Sequence, residues 1–441
     1  MIVSKFGGTS VGTFEAMQHS ASIVAANTDR KLIVISATSG TTNDLVELEN
    51  FALDSTTKET LLRSIEERHL SIISKCIDQE EILNTFKKLY SELRLHLDQQ
   101  ARDKRWKDTL YAFGELMSTT IFTQVLKESG VDAHWLDARE IIKTDSSYTQ
   151  AIPDIVSISK NANELIDKSK VYLTQGFIGS DIFGTTTTLG RGGSDYSAAL
   201  FAEAVKADIL EIWTDVAGVY TTDPRLVAEA RPISEITFDE AAELSVFGGK
   251  VLHPATLKPA IRSGVKVRVA SSKQPELPGT LIVNKTIEEP VVRAISLRKD
   301  QTLLTVRSLE MLHQHGFLAK LFSVLADHKI SVDLVTTSEV SVSLTLDTAS
   351  KASNKVELTN EVLNELRLFC EVEVEKDLSL VALIGNKMDA TSGISGKLFG
   401  VLDHYNIRLV CHGASPNNVC FLVKEGTGEE IVKLIHKKFI G

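Results

Sequence analysis

Residues 184–199 read GTTTTLGRGGSDYSAA, and this stretch limits the possible folds most strongly. Glycines at 190, 192 and 193 follow a run of threonines and precede Ser194, Asp195 and an alanine-rich helical pattern. A strand-like run, VYLTQGFIGS, stands just before it. Strand, glycine turn and helix in that order deliver main-chain N–H groups to a helix start, which is a place to hold an anion. Glycine is what allows positive φ and close approach of the backbone. Arg191, among the glycines, offers a planar fork to a carboxylate or a phosphate. Taken alone, the stretch reads equally well as a surface loop with Ser194 as helix cap.

A second loop of the same kind tips the balance. The N-terminus reads as a buried strand, IVSKF, followed by GGTSVG and a helical pattern from about Phe14 to Ala26. Lys5 stands at the mouth of that turn, where an ammonium group neutralises phosphoryl oxygens while Gly7, Gly8 and Thr9 offer main-chain donors. No GxxxxGK[ST] run occurs, so this is not the common P-loop. The plainer alternative makes Lys5 a solvated strand-end lysine.

The next strand is continuously apolar from Leu32 to Ile35, as a parallel strand covered on both faces requires. Hydroxyl-rich Ser36 to Asn43 follows at its carboxyl end, the side on which open α/β sheets bind ligands. Helical spacing then runs from about 55 to 127. Within it, Glu115 sits in the apolar run FGELMSTTIF, where a carboxylate needs a partner. A substrate ammonium or an internal cation would serve. After the glycine loop, a strand at 209–213 leads to Thr214, Asp215, Tyr220 and the turn Thr222-Asp223-Pro224-Arg225, a group suited to a nucleotide although each member alone is weak. One helical segment is expected from Phe238 to Gly264. Lys250, after Gly248-Gly249, is a second lysine able to reach phosphate.

The formal net charge of −10 argues against a nucleic-acid partner. No apolar run reaches the ~18–20 residues of a membrane helix, and the N-terminus lacks a signal-peptide pattern, so a cytoplasmic location with no membrane partner is expected. The four cysteines, Cys76, Cys370, Cys411 and Cys420, form no CxxC pair and read as reduced and mostly buried.

The last third repeats itself. KLFSVLADHKISVDLVTTS from Lys320 and KLFGVLDHYNIRLVCHGAS from Lys397 share a helix-then-strand pattern, each followed by an alternating strand. Two βαββαβ-like units without a nucleophile constellation, placed behind an α/β domain, suggest ligand sensing.

Together KFGGTS, TTTTLGRGGSDYSAA, WTDVAGVYTTDPR and FGGKVLHPAT resemble the aspartate kinases of the amino-acid kinase superfamily, and the tail resembles their tandem ACT domains. TSEVSVSLTLD and GFLAKLF are most similar to the lysine-sensitive monofunctional branch. The resemblance implies an α/β fold: an amino-acid kinase domain over 1–290, a mainly parallel sheet between helices, then two α+β, ferredoxin-like ACT regions over 296–375 and 376–441, with exchange of strands between them left open.

It also implies phosphorylation of the side-chain carboxylate of L-aspartate by MgATP, giving 4-phospho-L-aspartate and ADP, the first step toward the aspartate-derived amino acids. Lys5 and Asp195 would be catalytic, with Lys5 at the phosphoryl group. Thr42, Glu115 and Arg191 would bind aspartate. Lys5, Gly7, Gly8, Thr9, Thr214, Asp215, Tyr220, Arg225, Lys250 and Val251 would bind ATP, and Mg²⁺ would ride on its phosphates, with no metal ligands from the protein. Inhibitory L-lysine would sit between the ACT domains of two chains at Met311, Gly316, Phe317, Leu318, Ser331, Val332, Asp333, Ser338 and Glu339. A homodimer through these domains is implied, with a tetramer left open. The alternatives are another amino-acid kinase, acting on acetylglutamate, glutamate or carbamate, and a non-catalytic amino-acid sensor. The length leaves no room for an added dehydrogenase domain.

Overall fold

The computed structural model describes the chain except for residues 51, 101, 250, 251, 253, 313–314 and 347–357. Lys250 and Val251 therefore lie outside the described residues. The chain forms two compact units, one comprising Met1–Val219, Pro232–Ala241 and Lys250–Thr286, the other Tyr220–Arg231, Ala242–Gly249 and Ile287–Gly441. Neither unit is one uninterrupted stretch of sequence.

In the first unit, strands β1 (Ile2–Phe6), β2 (Arg30–Ile35), β3 (Ala133–Leu136), β4 (Val171–Gln175), β7 (Ile209–Thr214), β8 (Glu235–Thr237), β9 (Lys266–Ser271) and β10 (Thr280–Val283) build one sheet in the order β3-β4-β2-β1-β7-β9-β10-β8. The six strands from β3 to β9 run parallel, while β10 is antiparallel to β9 and β8 is parallel to β10. The intervening β5 (Ile178–Ser180) and β6 (Thr186–Thr188) form a separate antiparallel ribbon. Parallel strands need helical crossovers, so both faces are covered and the carboxyl ends of β1, β2, β4, β7 and β9 gather at one rim.

Alternation of side chains along β1 sorts chemistry by face. Ser4 and Phe6 point one way. Phe6 stacks on Trp213 with ring centroids 6.0 Å apart and meets Phe122 of the helix Lys104–Glu128. Lys5 points to the other face, where the helix Gly193–Ala204 lies against β1, β2 and β7. Beneath Ser4, Glu211 pairs with Arg30 at 2.7 Å and accepts from the Ser4 hydroxyl and the Trp213 indole. Burial pushes the Glu211 carboxyl up, yet these donors hold it below the usual range. A buried carboxylate so fully bonded is structural.

Two local expectations are corrected. Three of the threonines expected to feed a turn form β6 instead, because they pair with β5. The single helical segment after Phe238 is two helices, Phe238–Val246 and Pro254–Ser263. Gly249 separates them at a place where a Cβ would stand 2.6 Å from Leu244.

The second unit contains β11 (Ala294–Arg307), β12 (Val332–Thr337), β13 (Ser341–Leu346), β14 (Glu371–Ile384), β15 (Ile407–His412) and β16 (Asn418–Lys424), in the order β12-β13-β11-β14-β16-β15. The long strands β11 and β14 pair along their whole length, but their register shifts beyond Arg298, and Asp300 and Asp377 both take φ of 58°. The shift divides one sheet between two α+β layers. The later half of β11 joins β13, β12 and the start of β14 over a core with Leu321, Leu344 and Leu366. The earlier half joins the end of β14, β16 and β15 over a core with Leu398, Phe421 and Ile435. Residues 294–298 thus precede the first repeat in sequence and pair within the second.

Candidate active site

Lys5 Nζ lies 2.6 Å from Asp195 Oδ1, and the two side chains are only 12% and 17% exposed. The strand and the helix that bring them together are about 190 residues apart in sequence. Asp195 stands in the first turn of the helix Gly193–Ala204, whose cap Gly192 has φ of 70°, after Gly190 at 76°. Both values suit glycine. Gly193 packs closely for another reason: a Cβ there would stand 2.5 Å from the Phe177 ring. The Phe177 N–H in turn donates to Ser197 Oγ at 2.8 Å, fastening the turn after β4 to the helix.

The N-terminal turn corrects one expectation. The Gly7 N–H is engaged by the Trp213 carbonyl at 3.2 Å, so it is not a phosphate donor in this conformation. Gly7 lies beside the Lys5 ammonium: a Cβ on it would be in ordinary contact with Nζ, at 3.6 Å. At Gly8 a Cβ would come within 2.8 Å of the Ala37 carbonyl, so glycine lets the turns after β1 and β2 close on each other. Thr9, at the start of the short 3-10 turn Gly8–Val11, is exposed.

Glu115 is buried in the middle of the helix Lys104–Glu128. Its Oε1 accepts the Ala37 N–H at 3.1 Å, and its Oε2 has no hydrogen-bond partner among the described residues. Burial pushes this carboxyl up to about 8, while the Ala37 N–H and the Lys5 ammonium pull the other way. No internal cation pairs with it among the described residues, which leaves the ligand reading of the sequence standing. Thr38, on the same turn as Ala37, also has a buried hydroxyl without a partner among the described residues.

Thr42 is exposed near the start of the helix Thr41–Leu48. Its neighbour Thr41 is buried and accepts from Arg68 at 3.1 Å, while Arg68 pairs with Asp44 at 2.9 Å. Arg191 is exposed beside the glycine turn. Thr214 ends β7, donates to the exposed Asp215 at 3.2 Å, and through its carbonyl accepts the Ser272 N–H at 2.7 Å. Tyr220 and Arg225 belong to the second compact unit. There the Arg225 fork is held by Asp223 at 2.6 Å, and its side chain is 82% exposed.

Asp108 was not among the residues singled out from the sequence. It is buried two turns before Glu115 on the same helix and accepts the Thr149 N–H, the Thr188 N–H and the Thr188 hydroxyl at 2.7–3.0 Å. It anchors β6, which leads into the glycine turn. The signal was present: a carboxylate seven residues before Glu115 falls on the same helical face.

Of the regulatory candidates, Met311 ends a 3-10 turn, Gly316 caps the helix Phe317–Asp327 with φ of 90°, and Leu318 lies in that helix's first turn. Ser331 precedes β12, Val332 and Asp333 begin it, and Ser338 and Glu339 form the turn into β13. Asp333 pairs with Arg298 at 2.8 Å.

Residues 1–271 match the amino acid kinase family, and residues 304–356 and 381–439 match an ACT domain. Along 99% of its length the chain is 47% identical to the lysine-sensitive aspartokinase 3 of Escherichia coli, covering 98% of that protein. It is 35% identical to the chloroplastic aspartokinase 1 of Arabidopsis thaliana, over 99% of this chain and 80% of the relative. The crystal structure of E. coli aspartokinase III with aspartate and ADP (R-state) superposes with a TM-score of 0.90 at 46% identity, and the complex with lysine and aspartate (T-state) with 0.88, both over all of each chain. The matches span both the unit carrying the Lys5–Asp195 pair and the unit with the six-stranded sheet, and the chain therefore belongs to the amino acid kinase family, among its aspartokinases.

Proposed function

We propose that the protein is an aspartate kinase: it transfers the γ-phosphoryl group of ATP to the side-chain carboxylate of L-aspartate, releasing 4-phospho-L-aspartate and ADP. The observation that carries this reading is the half-satisfied buried carboxylate of Glu115, on the same rim as the Lys5–Asp195 pair. A buried carboxyl that keeps an oxygen without a partner costs stability, and the ammonium of an amino-acid substrate offsets that cost.

Glu115 takes the α-ammonium of aspartate, Arg191 faces a carboxylate and Thr42 offers a hydroxyl. Lys5 stabilises the charge on the transferring phosphoryl group, and Asp195 holds the Lys5 side chain in place. An aspartate carboxylate oxygen bonds to phosphorus as the bond to the ADP oxygen breaks. An ionised carboxylate is already a nucleophile, so the residues here position groups and screen charge instead of moving a proton. Gly7, next to the Lys5 ammonium, is counted with the nucleotide side through its position and not through its N–H. Gly8, Thr9, Thr214 and Asp215 line the nucleotide side, and the reading extends to Tyr220, Arg225, Lys250 and Val251. Mg²⁺, carried on the phosphates, supplies further charge neutralisation when bound.

Residues 1–290 form the catalytic domain in this reading, and the regions 296–375 and 376–441 are regulatory. L-Lysine inhibits by binding at Met311, Gly316, Phe317, Leu318, Ser331, Val332, Asp333, Ser338 and Glu339, between chains paired as a homodimer or within a tetramer. The carboxylates of Asp333 and Glu339 suit its two ammonium groups. A cytoplasmic location accords with the absence, among the described residues, of any helix long and apolar enough to cross a membrane.

The test is acyl-phosphate trapping. With aspartate, MgATP and hydroxylamine, aspartyl hydroxamate should accumulate in proportion to enzyme; an equal yield without aspartate overturns the reading.

A further inference from the structure

The second unit holds a pair of cysteines that the phosphoryl transfer does not use. Cys411 on β15 and Cys420 on β16 stand directly opposite each other in antiparallel register. Residues so placed project to the same face with Cα atoms about 4.5–5.5 Å apart, inside the roughly 4.4–6.8 Å that a disulfide spans. Both thiols are free, Cys420 fully buried and Cys411 partly exposed. β15 is also the last strand of the sheet. The other two cysteines lack this arrangement: Cys76 belongs to the first unit, and the Cys370 thiol donates to the Leu366 carbonyl in a different core.

We propose that Cys411 and Cys420 form a modification site, a dithiol that a hydroperoxide converts into an intrachain disulfide joining the edge strand β15 to β16. The Cys411 sulfur, the more accessible, attacks one oxygen of hydrogen peroxide. The O–O bond breaks, the departing hydroxide takes up the thiol proton as water, and Cys411 becomes a sulfenic acid. The Cys420 sulfur then attacks the Cys411 sulfur, the S–O bond breaks, and the hydroxyl leaves with the Cys420 proton as a second water. Two thiols and one peroxide thus give one disulfide and two waters. Burial raises the Cys420 thiol, with Cys411 and Glu243 adding to the effect, so Cys420 suits the second step better than the first. The sheet bends so that its two edges, β12 and β15, approach each other, which places the bond near the strand carrying Asp333.

Trypsin leaves both cysteines in one peptide, Leu409–Lys424, between Arg408 and Lys424. The full-length protein is treated with hydrogen peroxide, denatured, alkylated with iodoacetamide and digested. This peptide should then appear two hydrogens lighter and unalkylated, and dithiothreitol before alkylation should restore both carbamidomethyl groups. Cys411→Ser should leave Cys420 alkylatable. Cys420→Ser should trap Cys411 as a dimedone adduct, and the Cys76→Ser/Cys370→Ser variant should still close the bond. Recovery of the peptide doubly alkylated while Cys76 or Cys370 is oxidised overturns the proposal. So does Cys411 cross-linked to a second chain, or oxidised to sulfinic acid with Cys420 still alkylatable. If Cys420→Ser does not fold, the peptide map of the unaltered protein and of Cys411→Ser decides.

Discussion

Asp108 and Glu115 lie two turns apart on one helix, both buried, and burial raises the carboxyl of each. Their surroundings differ. Asp108 accepts from two main-chain N–H groups and a threonine hydroxyl, so the chain itself fills its hydrogen-bonding capacity. Glu115 receives one N–H, from Ala37, and keeps a buried oxygen without a partner among the described residues. Burial alone therefore does not mark a functional carboxylate. A group the fold satisfies holds the fold together; the half-satisfied Glu115 is, in the function proposed above, the one an incoming ammonium completes.

The strongest challenge to this distinction is Lys5→Ala. Lys5 draws the Glu115 carboxyl downward and pairs with Asp195. If the rim is a phosphoryl-transfer site, its loss should lower kcat by about 10³-fold or more with the circular dichroism spectrum unchanged. Turnover that survives would remove Lys5 from the mechanism.

Next in size is Asp108→Ala, which strands three donors and should cost about 2–4 kcal/mol in urea unfolding. The fraction that folds should keep much of its kcat. A variant as stable as the parent would erase the structural half of the comparison.

Glu115→Gln should do the converse. It keeps an acceptor for Ala37 and loses the charge, so kcat/KM for aspartate should fall about 10²-fold with stability equal or higher.

The pH dependence sharpens the same point. Because the folded-state carboxyl of Glu115 titrates near 8 against an ordinary value of 4.5, the native state holds a proton that the unfolded chain releases. Its contribution is fully present below about pH 4.5 and is lost as pH rises through about 8. Thermal melts at pH 5 and pH 9 should therefore show a larger loss for the parent than for Glu115→Gln. Saturating aspartate should shrink that loss, and parallel melting curves for the two proteins would contradict this account.

The smallest effect is expected in the second unit, where Asp333 is already paired with Arg298. Asp333→Ala should weaken lysine inhibition several-fold, about 1 kcal/mol of coupling, with the uninhibited rate unchanged. Inhibition curves that coincide would take Asp333 out of the regulatory site.

Much of the site could be read from residue types. A lysine before two glycines, an aspartate after three, and a glutamate alone in an apolar helical run each carry a local physical signature. Partnership was harder to see. That the Gly7 N–H serves Trp213, that Thr41 and not Thr42 turns inward to Arg68, and that Asp108 reaches Thr149 and Thr188 all depend on strands and turns far apart in sequence. The C-terminal repeat was visible because its helices and strands recur. The bend that shares β11 and β14 between two layers was not, since register shifts and a positive φ at Asp300 and Asp377 reflect pairing across the sheet.

The alternation of strand, glycine turn and helix, the repeat, and the charged side chains of the rim can all be read from the order of residues, because they follow from composition and spacing along the chain. Which of those charges are satisfied is settled by folding. Burial and hydrogen bonding belong to the neighbours a residue acquires on folding, and that is what separates Glu115 from Asp108.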